Sequence, residues 1–199
     1  RLAGWDYDHM IYVRRDLKNP SSPYMPAFRK LVTDAEAAMN KGPFSVTFKS
    51  IVPPGGTKND YMSYGPYWWP DTTKPDGLPY IRRDGIRNPQ SGVDHEQLSN
   101  LINSTRILSL AWFFTGEKKY AEKAVKLLRV WFIEPETKMN PHMEYAQGIP
   151  GITTGRGIGI IDARGFYTLV DAISLLETSG EIGSNDLSEI RKWFSDLFT

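Results

Sequence analysis

The sequence predicts an all-α fold, an incomplete α/α toroid built from antiparallel helical hairpins with long loops between them. Apolar residues recur at helical spacing through most of the chain. Signals for β-strands are nearly absent, which disfavours α/β folds. Two long stretches, 52–92 and 136–159, are rich in polar, Pro, Gly and aromatic residues and lack a helical period. Loops of such length inside a compact domain are usually functional.

Composition limits the classes of protein to which the chain can belong. Its 199 residues are 40% hydrophobic, enough to bury one core, so we expect one domain or part of one. A net charge of +1 argues against general attraction to nucleic acid or membranes. Without Cys, the chain has no disulfides, thiolate zinc sites or Cys nucleophiles. No apolar run reaches membrane-spanning length, and we expect no cofactor.

The two ends of the sequence indicate a piece of a longer domain. The chain begins at Arg1 without Met, so we expect that an upstream segment, such as a signal peptide, has been removed. It ends inside an amphipathic pattern that has no Gly or Pro stop signal. We expect the apolar residues of that pattern to find partners beyond Thr199; they are Ile190, Trp193, Phe194 and Leu197. Residues 1–199 are therefore interpreted as the N-terminal part of a single domain.

The N-terminal part predicts two helices. A short helix fits 5–17 and ends before Asn19 and Pro20. Pro26 suits the first turn of a clearer helix, which stops at Gly42. Phe and Val then alternate with polar residues at 44–48, which predicts a short extended segment.

Stronger helical patterns follow the first long loop. Their expected bounds are 94–115, 120–132, 160–177 and a helix that begins at the capping residue Ser184. The short turn between the first two of these predicts an antiparallel hairpin. Gly165 lies inside the third pattern, where we expect it to permit close helix contact.

An aromatic segment, Asn59–Asp71, lies in the first long loop. Pro66 and Pro70 lack backbone donors, so we expect irregular structure here. Its rings either plug the end of a helical domain or form a platform on which a sugar ring stacks. The arginines that follow favour an acidic polysaccharide, although they also fit single-stranded nucleic acid. The candidate substrate-binding residues of this loop are Asn59, Tyr67, Trp68, Trp69, Arg82, Arg83 and Asn88.

Candidates for proton transfer lie in the second long loop. His142 can exchange a proton near neutral pH, or it can be a hydrogen-bonded structural residue. Tyr145 is either a general acid at a leaving oxygen or a half-buried ring. The amides of Asn140 and Gln147 are candidates for binding substrate.

A glycine-rich segment, Gly155–Gly159, ends the second loop. No strand precedes it, which argues against a dinucleotide site. We expect its glycines to bring Arg156 beside a ligand, where a guanidinium can bind a carboxylate in a bidentate manner. The alternative for Arg156 is a surface ion pair.

Acidic residues near two helix starts are interpreted as structural. Asp94, with His95 and Glu96, resembles a set of metal ligands, but no second His lies one helical turn away, so helix capping by Asp94 is favoured. Asp162 and Arg164 are expected to cap or pair at the start of their helix.

Several spaced motifs from about residue 58 onward resemble the N-terminal half of the alginate lyase superfamily. They are Asp60-Tyr61-Met62, Pro66-Tyr67-Trp68-Trp69-Pro70, Gly77-Leu78-Pro79-Tyr80, Arg83-Asp84-Gly85, Asn88-Pro89, Trp131-Phe132, Met139-Asn140-Pro141, Tyr145-Ala146-Gln147, Ile149-Pro150-Gly151 and 154–162. This resemblance implies an α/α-toroid lyase that cleaves uronic-acid polysaccharides by β-elimination. It also implies export to the bacterial periplasm or beyond.

The sequence also departs from the family pattern. The family's Asn-Asn-His motif, which carries the central catalytic chemistry, normally follows the region where this chain ends, and it is absent here. We therefore expect the 199-residue chain alone to be inactive. Elimination must neutralise a carboxylate, remove the C5 proton and protonate O4, so the catalytic candidates are Arg156, Tyr145 and His142. His142 lies outside the matched motifs.

Two other functions stay open from the sequence. A glycoside hydrolase would need two facing carboxylates, for which Glu144 and Asp84 are candidates. A binding or scaffold protein would keep the aromatic platform without the chemistry. The expected partner is an acidic polysaccharide, with no nucleic acid and no membrane, and the oligomeric state is left open.

Overall fold

The computed structural model describes residues 2–198. Helices dominate this part of the chain, as predicted, and short strands accompany them. The helices are α1 (Tyr7–Asp16), α2 (Met25–Met39), α3 (His95–Thr115), α4 (Lys118–Phe132), α5 (Phe166–Glu177) and α6 (Ser184–Leu197). The strands are β1 (Met62–Tyr64), β2 (Trp68–Trp69), β3 (Ile81–Arg82) and β4 (Tyr145–Gly148). Within residues 2–198, no helix is both long enough and apolar enough to cross a membrane.

The chain divides into two compact units. One comprises the chain up to Pro43, Asn100–Arg129 and Gly165–Ser188. The other comprises Phe44–Ser99, Val130–Arg164 and the chain from Glu189 onward. Both long loops belong to the second unit, and so does every candidate residue named above for substrate binding or catalysis.

Buried apolar contacts and one buried carboxylate hold the first unit together. Met10, Phe113 and Leu175 form a buried cluster. On α5, the Asp171 carboxylate accepts backbone hydrogen bonds from residues 3–5 at 2.6, 2.7 and 3.1 Å. A Cβ on Gly165 would lie 2.7 Å from Ile102 Cδ1. The close helix contact predicted at Gly165 is thus confirmed.

Two small sheets organise the second unit. Strands β1 and β4 pair in parallel, and β2 pairs with β3 in antiparallel fashion. The prediction that the aromatic segment is irregular throughout was therefore wrong. Its strands have two or three residues each, too few to show the alternation by which a strand is recognised in sequence.

Two other local predictions were wrong. The segment 44–48 is not extended, because Val46–Phe48 forms a 3₁₀ turn. Ser45 Oγ accepts a hydrogen bond from Thr47 N at 2.9 Å and so caps this turn. The helix expected at 160–177 begins only at Phe166, since Gly157–Gly165 is 3₁₀. That stretch contains three glycines, which disfavour a regular α-helix.

Helix α6 finds part of its packing within this chain. Trp193 is buried, its Nε1 donates to Met139 O at 2.6 Å, and its ring lies 4.8 Å from that of Phe132. Ile190 is buried as well. The Phe194 ring lies 5.5 Å from that of Phe132. The expectation that the apolar residues of this helix find their partners beyond Thr199 was therefore wrong for these three residues.

Candidate functional site

Strands β1 and β4 bring the two long loops together. Met62 pairs with Tyr145, and Tyr64 pairs with Gly148. Between these pairs, Gln147 N donates to Ser63 Oγ at 2.8 Å. The loops at 52–92 and 136–159 therefore meet, and Ser63 and Gln147 lie at the junction.

A carboxylate, Asp162, gathers polar groups at this junction. It accepts hydrogen bonds from Ser63 Oγ at 2.6 Å, from Tyr61 Oη at 3.1 Å and from Gln147 Nε2 at 3.2 Å. Burial, reinforced by the charge of Asp162, raises the pKa of the Tyr61 hydroxyl. Tyr61 therefore stays neutral and serves as a donor. The expected capping role of Asp162 is replaced by this contact with the first loop.

Gln147 connects Asp162 to Arg156. Its Oε1 accepts from Arg156 Nη2 at 3.0 Å, and its carbonyl accepts from Arg156 Nε at 2.7 Å. Within residues 2–198, Gln147 is the one non-glycine residue with positive φ, at 51°. Such a conformation costs free energy and persists where the surroundings enforce it, often at functional sites. Here the four polar groups of Gln147 are all engaged, which enforces it.

The glycines around Arg156 allow close backbone packing. A Cβ on Gly155 would collide with the Glu144 carbonyl, and one on Gly159 would lie 2.5 Å from Ala146 Cβ. The segment 155–159 can therefore lie directly against β4. On the other side, a Cβ on Gly65 would lie 2.6 Å from Trp68 Cδ1 and 2.8 Å from Arg156 Nη2. Trp68 and Arg156 thus flank the same glycine.

A pocket of about 290 Å³ opens at the junction. Buried polar groups, including Gln147, lie at its base, and the arginines that line it are exposed. Burial, with a contribution from nearby Tyr80, raises the pKa of Tyr64 in its wall. Cations at the rim above hydrogen-bonding groups suit a polar, anionic ligand. The lining includes Ser63, Tyr64, Tyr67, Arg87, His95, Gln147, Asp162 and Arg164.

Comparison with known proteins identifies the family to which this arrangement belongs. A family model described as Alginate lyase matches residues 45–199. The chain belongs to the alginate lyase family. The fold is also similar to a crystal structure of an alginate lyase from Bacteroides ovatus, with 42% sequence identity and a TM-score of 0.91. That match covers 97% of this chain and 51% of the other, so the chain spans about half the length of that protein. Comparison with curated proteins gives no match.

In this family member, His142 pairs with a buried carboxylate. His142 Nε2 lies 2.9 Å from Asp60 Oδ1, and its Nδ1 accepts a weak hydrogen bond from Glu144 N at 3.4 Å. Asn140 Nδ2 donates to the same Asp60 oxygen at 2.6 Å. Burial acts to raise the pKa of Asp60, but the hydrogen bonds from Asn140 and Thr57 and the charge of His142 hold it below its ordinary value. Asp60 therefore stays ionised and orients the imidazole.

Tyr145 stands next to His142. The two ring centroids are 6.0 Å apart, in an edge-on arrangement. The Tyr145 ring also closes on Gly56, where a Cβ would lie 2.9 Å from Tyr145 Cε2. Among residues 2–198, no hydrogen bond to the Tyr145 hydroxyl is formed. That hydroxyl is free to exchange a proton with a ligand, and its catalytic role stays a prediction.

A buried ion pair, Lys49–Asp94, contacts the backbone at Asp60 and Met62. Lys49 Nζ lies 3.0 Å from Asp94 Oδ2, and both side chains are almost fully buried. Lys49 also donates to the carbonyls of Val46, Lys58 and Asp60 at 2.7, 2.7 and 2.8 Å. Asp94 in turn accepts from Met62 N at 2.9 Å, which fixes the start of β1. The Asp94 side chain thus holds β1, a role different from the helix capping expected.

The two adjacent tryptophans serve different surfaces. Successive side chains of a strand point to opposite faces. Accordingly, Trp68 lies by Gly65 and Arg156, while Trp69 lies under the guanidinium of Arg83, with 5.5 Å from Cζ to the ring centroid. The predicted platform is therefore divided between two places.

Three asparagines predicted to bind substrate make internal hydrogen bonds. Asn88 is buried, and its Nδ2 donates to Trp68 O at 2.8 Å. Asn59 Nδ2 donates to Lys138 O at 2.8 Å, and Asn140 is engaged with Asp60 as described. Arg82 is exposed and paired with Asp84 at 2.6 Å. The binding roles of these residues stay predictions.

Sequence reasoning did not select several residues that line the pocket. Ser63 and Asp162 meet only through the pairing of β1 with β4 and the fold of the 3₁₀ segment, so their spacing of 99 positions carries no signal. Arg164 was expected only to cap or pair at the start of its helix, and neither Arg87 nor Arg164 was selected as a site residue. Their place in the lining of the pocket is the feature that marks them, and it is visible only in the structure.

Proposed function

We propose that this chain forms the saccharide-binding part of a polysaccharide lyase that cleaves a uronic-acid polysaccharide, alginate or a related polymer, by β-elimination. The observation that carries the proposal is the pocket in which the exposed Arg87 and Arg164 stand above buried Gln147, beside the rings of Tyr64 and Tyr67. Arginines can hold the uronate carboxylate, and the rings can pack on the sugar. Membership of the alginate lyase family supports the reaction type. An α/α toroid of helical hairpins and export to the periplasm or beyond belong to the same proposal.

The chemistry requires a defined movement of electrons and protons. A base takes the C5 proton, the electron pair of that bond forms a C4–C5 double bond, the C4–O4 bond breaks, and an acid gives a proton to O4. The unengaged Nη1 of Arg156 is available to a carboxylate. His142, whose Nε2 faces Asp60, is the first candidate for proton transfer. The unbonded hydroxyl of Tyr145 is the second candidate for proton transfer.

The proposal is tested by incubating purified protein with alginate, another polyuronate and a neutral glucan. The natural full-length protein is assayed beside the 199-residue chain. We expect ultraviolet absorbance from the new C4–C5 double bond with a polyuronate and none with the glucan. The same assay on the 199-residue chain shows whether residues 1–199 are sufficient for the reaction. Glucan cleavage without a double bond would support a glycoside hydrolase, and binding without turnover by the full-length protein would support a binding protein.

Matched variants connect the activity to the pocket. Replacing Arg87 and Arg164 together by Gln should raise KM at least about tenfold, because charge-assisted hydrogen bonds contribute about 1.5–3 kcal/mol each. Arg29→Gln on α2 removes a positive charge from an exposed arginine outside the pocket and serves as the control. Equal kinetics for the double variant and the control would show that this pocket does not bind the polymer.

A further inference from the structure

A second pocket of about 290 Å³ lies beside Trp69. It shares no lining residue with the pocket described above. Its lining includes Trp69, Thr72, Arg83, Asn88 and Gln90. It therefore combines a flat indole, a cation and polar side chains. The cation is the guanidinium of Arg83, which does not line the first pocket.

The groups of this pocket are fixed by the fold. Trp69 Nε1 donates to Ile86 O at 2.9 Å, which sets the orientation of the indole. Arg83 N donates to Tyr67 O at 2.8 Å, so the residue is anchored next to the β2–β3 ribbon. Asn88 is 2% exposed and holds the backbone at Trp68 from below. A ligand would therefore meet an ordered surface, which lowers the entropic cost of binding.

The charge of Arg83 is not matched by an ion pair in the part of the chain that the structure describes. Its neighbour Arg82 is already paired with Asp84. Arg83 makes no salt bridge within residues 2–198, and its guanidinium lies over the Trp69 ring. The charge of Arg83 contributes slightly to lowering the pKa of the nearby Asp71. The main cause of that shift is the pair of hydrogen bonds that the Asp71 carboxylate accepts from Thr73. An anionic ligand would supply the partner that Arg83 lacks.

We propose that Trp69 and Arg83 form a second saccharide subsite, which binds a uronate residue of the polymer outside the pocket of Tyr67 and Arg87. The inference rests on the proposed function. The carboxylate of the uronate pairs with Arg83, whose guanidinium lies over the Trp69 ring, and the C–H face of the pyranose packs on the part of the indole that stays exposed. Thr72 and Gln90 line the same pocket and can bond the hydroxyls. Neighbouring residues along the chain, Arg87 and Asn88, line the first and second pockets respectively, so one extended polymer can occupy both.

The test measures affinity against ligand length for the natural full-length protein. The protein is immobilised on a biosensor surface, and length-defined oligouronates flow over it, so that turnover does not deplete the ligand. We expect Arg83→Gln and Trp69→Ala to weaken the longest oligomers about tenfold and to leave the shortest bound oligomer unchanged. Lys58→Gln removes an exposed charge from the same unit, outside both pockets, and should change nothing.

Each other outcome overturns the inference. Arg83→Gln could bind every length as Lys58→Gln does, or it could weaken all lengths equally; both exclude a second subsite while the first pocket keeps its function. Equal weakening of a neutral oligosaccharide of matched length would show that carboxylate recognition is not involved. If the unaltered protein binds no oligouronate of any length, the proposed function itself fails. Arg83→Gln leaves the buried groups in place, so its result does not depend on whether Trp69→Ala folds.

Discussion

At the scale of single residues, Gln147 accounts for the geometry of the candidate site. Its amide lies between the guanidinium of Arg156 and the carboxylate of Asp162. Arg156 is thereby held by neutral groups, and its charge stays available to a ligand. Gln147 was selected from the sequence as a candidate for binding substrate. Its φ of 51° could not be predicted, because this conformation results from hydrogen bonds to distant residues.

Two substitutions separate the strain at Gln147 from its function. Gln147→Ala should lower the free energy of unfolding by about 1–3 kcal/mol, since Arg156 and Asp162 lose a buried partner. Gln147→Gly should recover about 1 kcal/mol of that loss, because glycine adopts positive φ freely. Both variants should lose activity to the same degree. The measurements are urea unfolding and product absorbance, and recovery of activity by the glycine variant would contradict the role given to the amide.

At the scale of elements, helices were predicted well because their signal is local. Apolar spacing and the Thr115-Gly116 stop defined α3 within a residue or two. The strands β1 and β4 are joined by parallel pairing between residues 83 positions apart, Met62 and Tyr145, and no pattern within either strand announces the other. The site depends on that pairing. A residue with recognisable chemistry, such as Arg156, could therefore be chosen as a candidate from the sequence, while Ser63 and Asp162 could not.

The Lys49–Asp94 pair makes the stability of the fold dependent on pH. Burial raises the pKa of Asp94 from its ordinary 3.8 to about 6, even though Lys49 and the Met62 amide oppose the shift, and burial lowers the pKa of Lys49. A carboxyl with a raised pKa in the folded state binds its proton more tightly there than in the unfolded state. Its contribution to stability is thus full below about pH 4 and is lost as the pH rises through 6.

Lys49→Met should expose this dependence. Without Lys49 the buried Asp94 charge is unpaired, so the free energy of unfolding should fall by about 3–5 kcal/mol at pH 7. The pKa of Asp94 should rise further, and part of the loss should be regained at pH 5, where Asp94 is protonated. Urea unfolding at both pH values measures the effect, and Lys58→Met, an exposed neighbour, is the control. An equal loss at both values would show that the Asp94 charge is not responsible.

At the scale of the whole molecule, charge is nearly balanced, with 24 basic and 23 acidic residues. A polyanion is therefore not drawn by a general positive field, and attraction must come from local arginines. Under the proposed function, Arg87, Arg164 and Arg83 would provide it in the two pockets of the second unit. Composition gives the net charge of the chain, but it could not place these three side chains.

This local origin predicts how salt affects polyuronate binding. Screening lengths fall from about 30 Å at 0.01 M salt to about 8 Å at 0.15 M, so the affinity of the full-length protein should drop across that range. Replacing both Arg87 and Arg164 by Gln should flatten the dependence, because the charges that face the ligand are gone. Replacing both Arg29 and Lys58 by Gln changes the net charge equally but leaves both pockets intact, so the slope should persist. Biosensor affinities over a salt series give the slopes; equal flattening in the two double variants would mean that net charge, and not the pocket, attracts the polymer.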